Sequence, residues 1–380
     1  MNLKMNRVIG FSSSVGWGVA ALLVLGGCDK DTQYVSLLFE RADLTADRSG
    51  LSEFDDPNLV NPIGLQLSPS ASFWAANNGS GTATFYERNG LPLPPGAPLA
   101  VQMPVPAGAA ADARAHVTGI AYNRGSGLPL TSDGRTDSAR FLFVTEEGTI
   151  LGYNAEIDRE RAFIAVDNSA TGAVYRGMTI ASFRSGPRLY VTNFSNGSVD
   201  VFDAAFAPAT GLDGAAFEDQ ELPAGYAPFG IQRIDDVIYV SYAERDADGR
   251  SVVVGAGKGR INAFDLDGEF LLRVSAGGEL DAPWGITRLP WGFPYFGSAL
   301  LVGNHGDGRI NAFDPWGGGS LGPLYATVDE PVAIDGLWDL GLSVGPDGNG
   351  AIYFSAGPNG GENGVFGRLQ AVLVDAPDPE

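Results

Sequence analysis

Two histidines and one carboxylate are the residues of this chain best suited to acid–base chemistry. His116 precedes "VTGI", His305 follows "VGN", and Glu146 follows the strand-like run "FLFVT". Histidine is the usual general acid or base near neutral pH, so these three are the candidate catalytic residues. The sequence contains no H-E-x-x-H, so no zinc-protease motif supports catalysis. Two solvent-exposed loop histidines are the plainer alternative.

Oxygen-bearing side chains at the ends of three strand-like runs could bind a divalent cation. Glu146 follows "FLFVT", Asn193 ends "RLYVTN" and Asn304 ends "ALLVGN". Carboxylate and amide oxygens are ligands of hard cations, so these residues are the metal candidates and calcium is the cofactor considered. Asparagine is equally an ordinary turn residue, so a structural role for both asparagines stays open.

A repeat positions these residues. A short motif, in which a glycine is followed by an apolar residue, recurs before strand-like runs at intervals of 55, 58, 53, 55 and 54 residues, with aspartate replacing glycine in the last copy. Each unit continues with a second strand, a Gly-rich turn and a third strand of period two. Six such units predict an all-β chain folded as a six-bladed β-propeller, with a pair of β-sandwiches as the alternative. The motif is centred on Gly64, Gly119, Gly177, Gly230, Gly285 and Asp339.

The predicted ring closes with an N-terminal strand. The run "QYVSLLFE" at residues 33–40 precedes the first unit, and little chain follows the third strand of the sixth unit. We therefore expect a signal peptide at 1–27 and one propeller domain at 28–380. The blades are predicted near 61–115, 116–172, 173–226, 227–281, 282–333 and 334–374, the last completed by 33–40.

One mouth of the central channel is the predicted ligand site. Residues beside the glycine motifs and at the ends of the second strands should ring this mouth, which combines aromatic walls with a few polar groups, as ligand pockets do. An insertion in the fourth unit, beginning "ERDADGR" at Glu244, should lie on the same face and could cover the mouth. The ligand-binding candidates are Asn77, Asn78, Thr118, Glu146, Arg176, Asn193, Tyr242, Trp284, Asn304, His305 and Trp338.

The first residues indicate export. Lys4 and Arg7 precede a mostly apolar segment that ends in "LGGC", the pattern of a bacterial lipoprotein signal, with Cys28 as the lipidation site. Cys28 is the single cysteine, so no disulfide framework exists. A plain secretory signal or an N-terminal membrane anchor are the alternatives. We expect a lipoprotein of the bacterial cell envelope, on its periplasmic or surface face, with the choice of membrane open.

Charge excludes some partners. The formal net charge is −21, so the surface should repel nucleic acid and anionic membranes. We expect contact with a membrane only through the lipid, and a monomer.

The motifs resemble those of NHL-like six-bladed propellers, a group that includes gluconolactonase-like and streptogramin-lyase-like proteins. More closely, "NPIGLQLSPSASFWAANNGSGT", "LPAGYAPFGIQ", "LLVGNHGDGRINAFDPWGG" and "DGLWDL" are similar to an uncharacterised family of secreted bacterial propeller proteins. The resemblance covers nearly all of residues 33–374 and implies the fold but no activity.

Three functions follow as hypotheses. The first is a lipid-anchored propeller that binds a small molecule, glycan or protein at the channel mouth. The second is a metal-dependent hydrolase or lyase of the gluconolactonase or streptogramin-lyase type, so the sequence leaves open whether the protein is an enzyme. The third is an interaction scaffold of the cell envelope.

Overall fold

The computed structural model describes residues 22–25, 33–293, 295–344 and 350–375, and within them the chain is almost entirely β. One 3₁₀-helix, Ser169–Thr171, is the exception. No helix among the described residues is long and apolar enough to cross a membrane. Strands are numbered in chain order, and six of the sheets form the blades of a propeller.

Blades 1 and 2 are four-stranded antiparallel sheets. Blade 1 consists of β4 (Pro62–Leu67), β5 (Phe73–Asn77), β6 (Thr82–Tyr86) and β7 (Val101–Gln102). Blade 2 consists of β8 (Val117–Tyr122), β11 (Phe141–Thr145), β12 (Thr149–Tyr153) and β13 (Phe163–Asp167). A separate hairpin, β9 (Pro129–Ser132) and β10 (Arg135–Ser138), is inserted after β8.

Blades 3, 4 and 5 continue the same order of strands outward from the channel. Blade 3 has β14 (Tyr175–Phe183), β15 (Gly186–Asn193) and β16 (Ser198–Phe202). Blade 4 has β17 (Tyr226–Ile234), β18 (Val237–Arg245), β20 (Arg260–Phe264) and β21 (Phe270–Ala276), and β19 (Val252–Val253) pairs antiparallel with the end of β18. Blade 5 has β22 (Pro283–Arg288), β23 (Leu300–Asn304), β24 (Ile310–Phe313) and β25 (Ser320–Pro323).

Blade 6 joins the two ends of the domain. It contains β26 (Leu337–Val344), β27 (Gly350–Ala356) and β28 (Val365–Asp375), and then β2 (Gln33–Ala46), with β1 (Leu22–Leu25) and β3 (Phe54–Asp55) beside β2. Strand β2 pairs antiparallel with β28 from Val35 opposite Asp375 to Ala46 opposite Val365. The predicted closure by an N-terminal strand is therefore confirmed, and the strand runs six residues beyond the predicted end at Glu40.

The innermost strands form a closed ring, which excludes the pair of sandwiches. In sequence they are β4, β8, β14, β17, β22 and β26; each contacts the next, and β26 contacts β4. The hydrophobic clusters accordingly lie between neighbouring blades. Tyr239 and Ile261 of blade 4, for example, pack with Leu300 and Phe313 of blade 5.

The repeated glycine lets neighbouring inner strands approach each other closely. A Cβ on Gly230 would lie 2.2 Å from the carbonyl oxygen of Trp284, and one on Gly119 would lie 2.8 Å from that of Arg176. Both oxygens belong to the backbone of the next blade, so no side-chain rearrangement can relieve the clash. A register shift, the mark of a β-bulge, accompanies the motif in every blade. The motif is therefore architectural at its glycine.

Candidate functional site

Two sets of equivalent residues surround the mouth of the channel where the inner strands begin. The first set precedes the motif glycine or its aspartate and consists of Ile63, Thr118, Arg176, Phe229, Trp284 and Trp338. The second set lies at the mouth end of the second strand of each blade, directly after that strand in five blades and within β18 in blade 4. It consists of Asn78, Glu146, Phe194, Ala243, His305 and Gly357.

The floor of the mouth is an apolar cluster. Ile63, Phe194, Phe229, Trp284 and Trp338 are buried together. The ring centroid of Phe229 lies 4.7 Å from that of Trp284, and Trp284 lies 5.3 Å from Trp338, both edge to face. Such pairs are the geometry that aromatic quadrupoles favour, so the floor is firmly packed.

A chain of polar contacts, which we call the mouth network, runs above this floor through Asn61, Asn78, Glu146, Arg176 and Trp338. Trp338 donates its indole N–H to Asn61 Oδ1 at 2.8 Å, and Asn61 donates to Asn78 Oδ1 at 3.5 Å. Asn78 donates to Glu146 Oε1 at 3.4 Å, and Arg176 Nη1 donates to the same oxygen at 2.5 Å. Four blades are thereby connected, with the charged pair at one end.

The insertion in blade 4 reaches the mouth network. Arg176 Nη2 donates to the backbone carbonyl of Arg250 at 2.6 Å, and Arg250 Nη2 donates to the carbonyl of Glu146 at 3.5 Å. The Arg176 guanidinium also lies over the ring of Phe194, 5.6 Å from its centroid. The side chain of Arg176 is only 10% exposed, so the loop and Glu146 together neutralise and cover a nearly buried cation.

His305 completes the site from blade 5. Its ring stacks on Trp338 with centroids 3.6 Å apart, and Nδ1 lies 3.1 Å from the carbonyl oxygen of Leu337. Burial lowers the pKa of His305 to about 4, an effect that the carbonyl of Leu337 partly offsets. At neutral pH this ring is uncharged, and Nδ1 carries the proton that the carbonyl accepts.

His116 stands at the rim instead. Its side chain is half exposed, and Nδ1 lies 2.6 Å from Glu147 Oε1. The hydrogen bond to Glu147 raises the pKa of His116. The structure records no contact between the two histidines.

Four predicted ligand residues have side chains that lie within the fold rather than at the mouth. Asn77 donates to Thr82 and Thr84, Asn193 donates to Asp200, and Asn304 donates to Asp307 and to the carbonyl of Glu279. Tyr242 is buried among the side chains between blades 3 and 4, and burial raises its pKa. The three asparagines end their second strands, and Tyr242 holds the equivalent position within β18. Each precedes by one residue the position that faces the mouth, and a shift of one residue reverses the direction of a strand side chain.

Thr118 lies on the inner strand but is fully buried. Its hydroxyl is shared between the carbonyl oxygens of Val144 and Tyr175, at 3.2 and 3.1 Å, and so links blade 2 to blade 3. The mouth thus gathers Asn78, Glu146, Arg176, Trp284, His305 and Trp338 from the predicted set. It adds Asn61, Phe194 and Arg250, which the sequence analysis did not name as ligand residues. The only sequence signal for any of them was the insertion in the fourth unit, which contains Arg250.

The metal candidates are not gathered into one site. Glu146 pairs with Arg176 in the mouth network, whereas Asn193 and Asn304 bond within blades 3 and 5. In the described part of the chain, no group of three His, Cys, Asp or Glu side chains could hold a metal ion. Cys28 lies outside the described residues.

Sequence relatives are viral. No protein-family model matches the chain. One uncharacterised protein of Acanthamoeba polyphaga mimivirus is 33% identical over 334 residues, covering 86% of this chain and 78% of the relative. A second from the same virus is 32% identical over 335 residues, covering 86% and 84%. The chain belongs to their family. These relatives do not support the expectation that the family is bacterial and secreted.

Solved structures of similar shape share little sequence. Virginiamycin B lyase from Staphylococcus aureus is 13% identical with a TM-score of 0.47, over 89% of this chain and all of that one. The aldose sugar dehydrogenase from Streptomyces coelicolor, in its PQQ-bound form, is 13% identical with a TM-score of 0.49, over 89% and 98%. At these values the likeness carries no argument about activity.

Proposed function

We propose that this propeller is a binding protein whose channel mouth takes a small molecule or a glycan. The observation that carries the proposal is the convergence of all six blades on one place. Blades 6, 1, 2 and 3 supply the mouth network, blade 4 supplies the Arg250 carbonyl, and blade 5 supplies His305.

The chemistry of the mouth suits a polar ligand. The Arg176 guanidinium offers fixed donors, the Glu146 carboxylate and Asn61 offer acceptors, and the aromatic floor offers apolar surface. Hydroxyl or carboxylate groups on a compact ring would match this mixture. Because Arg176 Nη2 already donates to the Arg250 carbonyl, a ligand can use this donor only if the blade 4 insertion moves aside, as lid loops do.

Glu146→Gln provides the first test, with Glu147→Gln as its matched control. Both substitutions remove one carboxylate from adjacent positions, but only Glu146 belongs to the mouth network. The native protein would be screened against a glycan array and a library of polar metabolites, and hits measured by calorimetry. Glu146→Gln should weaken binding of a hit by tenfold or more, on the order of one charge-assisted hydrogen bond, while Glu147→Gln should not.

Hydrogen exchange gives an independent readout of the lid. Amides of residues 246–258 should change their exchange rate when a ligand binds at the mouth. Absence of any hit, or hits that bind both variants like the native protein, would overturn the proposal.

The finer expectation of an exported, lipid-anchored bacterial protein belongs to the same proposal. It is supported by Lys4, Arg7 and the "LGGC" sequence that ends at Cys28. Cleavage before Cys28 would remove β1, the strand at the edge of blade 6. Expression in a bacterium with a labelled fatty acid should label the native chain but not Cys28→Ala; equal labelling or none in both would contradict the anchor.

A further inference from the structure

A cleft of about 1010 Å³ opens between blades 1 and 2. We call it the blade 1–2 cleft; its lining includes Ser70, Phe85, Leu99, Tyr122, Arg140 and Ala155. It lies on the face opposite the mouth, because it is bordered by the loop after β4 and by the residues that follow β6 and β12. Its edge at Leu99 comes from the Pro-rich segment that links the two blades.

At three other seams, meaning the contacts between two adjacent blades, loop residues fill the region that corresponds to this cleft. Leu128 and Leu130, beside and within the inserted hairpin, pack between blades 2 and 3. Phe217, from the connection after blade 3, packs between blades 3 and 4, and Phe293 packs between blades 5 and 6. The segment between blades 1 and 2 borders the cleft without filling it.

Aromatic side chains form the floor of the cleft. Trp74 is stacked between Phe85 and Phe141, with ring centroids 4.4 and 4.0 Å away. Tyr122 packs edge to face on Phe141 at 4.9 Å. Trp74 and Phe141 are buried, whereas Phe85 and Tyr122 are only partly buried and leave ring surface for a flat ligand.

Three arginines border this aromatic floor. None of Arg88, Arg140 and Arg159 is within ion-pair distance of a carboxylate among the described residues. Arg140 donates to the carbonyl of Gly125 at 3.2 Å, and Arg88 contacts the Ser343 hydroxyl at 3.5 Å. Glu87 and Glu156 are exposed on the lining. In a chain of net charge −21, three cations beside one cleft outnumber its two acids.

We propose that the blade 1–2 cleft binds a small amphipathic organic anion, namely a flat or aromatic ring system that carries a carboxylate, sulfonate or phosphate group. The ring would lie on Phe85 and Tyr122, and the anionic group would face Arg140 and Arg88. The volume suits a ligand of this size, since ligand pockets span roughly 300–1,000 Å³. This site is separate from the mouth and does not depend on the function proposed there.

Two fluorescent probes that differ by one charge test the proposal. Anilinonaphthalene sulfonate has the fused ring and the anion, and N-phenylnaphthylamine has the ring alone. With the native full-length chain, the sulfonate should bind saturably at one site and more tightly than the neutral probe. Energy transfer from tryptophan to the bound probe should accompany binding, because Trp74 underlies the site.

Three variants locate the site. Arg140→Gln should weaken sulfonate binding by about tenfold and leave the neutral probe nearly unchanged. Arg135→Gln is the matched control, because this substitution removes the same charge at an exposed position, in the hairpin inserted after β8. Ala155→Trp, a bulky residue at an exposed position of the lining, should block both probes without removing any native contact.

Each outcome decides the matter. Sulfonate binding that survives Arg140→Gln and Ala155→Trp, equal affinity for both probes, or no saturable binding would overturn the proposal. Circular dichroism and thermal unfolding of every variant check that the fold is intact, so that probe binding by unfolded chain cannot be mistaken for the site. Loss of sulfonate binding in Glu146→Gln would place the probe at the mouth and would also overturn it.

Discussion

The seam between blades 6 and 1 differs from the other five seams of the ring. At five seams a glycine lets the backbone of the next blade approach closely, as Gly230 does with Trp284. At the sixth, Asp339 takes the place of glycine, and its carboxylate accepts hydrogen bonds from the backbone N–H of Leu65 at 2.9 Å and of Leu340 at 2.8 Å. At this seam the Asp339 side chain joins the two inner strands, whereas at the other five seams their backbones are in direct contact.

This difference shows that the ring tolerates one unequal seam. Asp339 lies beside Trp338 of the mouth and lines a cavity of about 30 Å³ within the channel. Burial raises the pKa of Asp339 to about 7, although both backbone hydrogen bonds oppose the shift. The seam therefore carries a carboxyl group that titrates near neutral pH inside the ring.

The largest effect is expected from a methyl group at a glycine seam. Gly230→Ala would place Cβ 2.2 Å from the Trp284 carbonyl oxygen, so the two blades must separate. We expect a loss of about 3–5 kcal/mol in the free energy of unfolding, measured by denaturant titration. Gly214→Ala, where nothing lies within 4 Å, is the control and should change it by less than about 0.5 kcal/mol. Equal effects would mean that the seams are not tightly packed.

Removing the Asp339 carboxylate at the seam between blades 6 and 1 should lower the free energy of unfolding by somewhat less. Asp339→Gly leaves the N–H groups of Leu65 and Leu340 without their acceptor, at about 3 kcal/mol for the pair. Asp339→Asn keeps one acceptor oxygen and should recover part of that loss. If Asp339→Gly is as stable as the native protein, the seam closes like the other five and the contrast fails.

The pH dependence of stability tests the carboxyl itself. Because the pKa in the folded state is raised to about 7, the native protein holds a proton that the unfolded chain has released. Stability should therefore fall as pH rises from about 4 to 7 and level off above 7. Asp339→Asn should lack this component. A native protein with the same pH profile as the variant would contradict the assignment.

The smallest effect is expected from a hydroxyl that supports a glycine seam. Thr118 links the Val144 carbonyl of blade 2 to the Tyr175 carbonyl of blade 3. Thr118→Val keeps the shape and removes the donor, so we expect a loss of about 1 kcal/mol by thermal unfolding. Thr131→Val, at an exposed hydroxyl pair with Thr136 in the hairpin, is the control and should be nearly neutral.

Much of the architecture was readable from the repeat. The regular spacing of the glycine motif predicted six blades, and "QYVSLLFE" predicted the closing strand, which pairs with β28 as expected. Both succeed because a closed ring imposes the same packing demand on equivalent positions. The sequence also shows the aspartate in "GLWDL". It could not predict that this carboxylate accepts a hydrogen bond from the backbone N–H of Leu65, which lies far away in sequence.

The site was only partly readable. Glu146, Asn78 and His305 face the mouth, whereas Asn77, Asn193 and Asn304 face into the fold one residue earlier. The bulge at each motif interrupts the alternation of period two, so the direction of a side chain near it depends on the pairing register and not on the local pattern.

The sequence by itself therefore determined the number of blades, the order of strands and the way the ring closes, because these follow from local periodicity and equal spacing. Only the tertiary structure decided which side chains meet. Asn61 reaches Trp338 because blades 1 and 6, at opposite ends of the chain, become neighbours. Arg250 reaches Arg176, and the blade 1–2 cleft stays open, because the loops of consecutive blades differ in length and course.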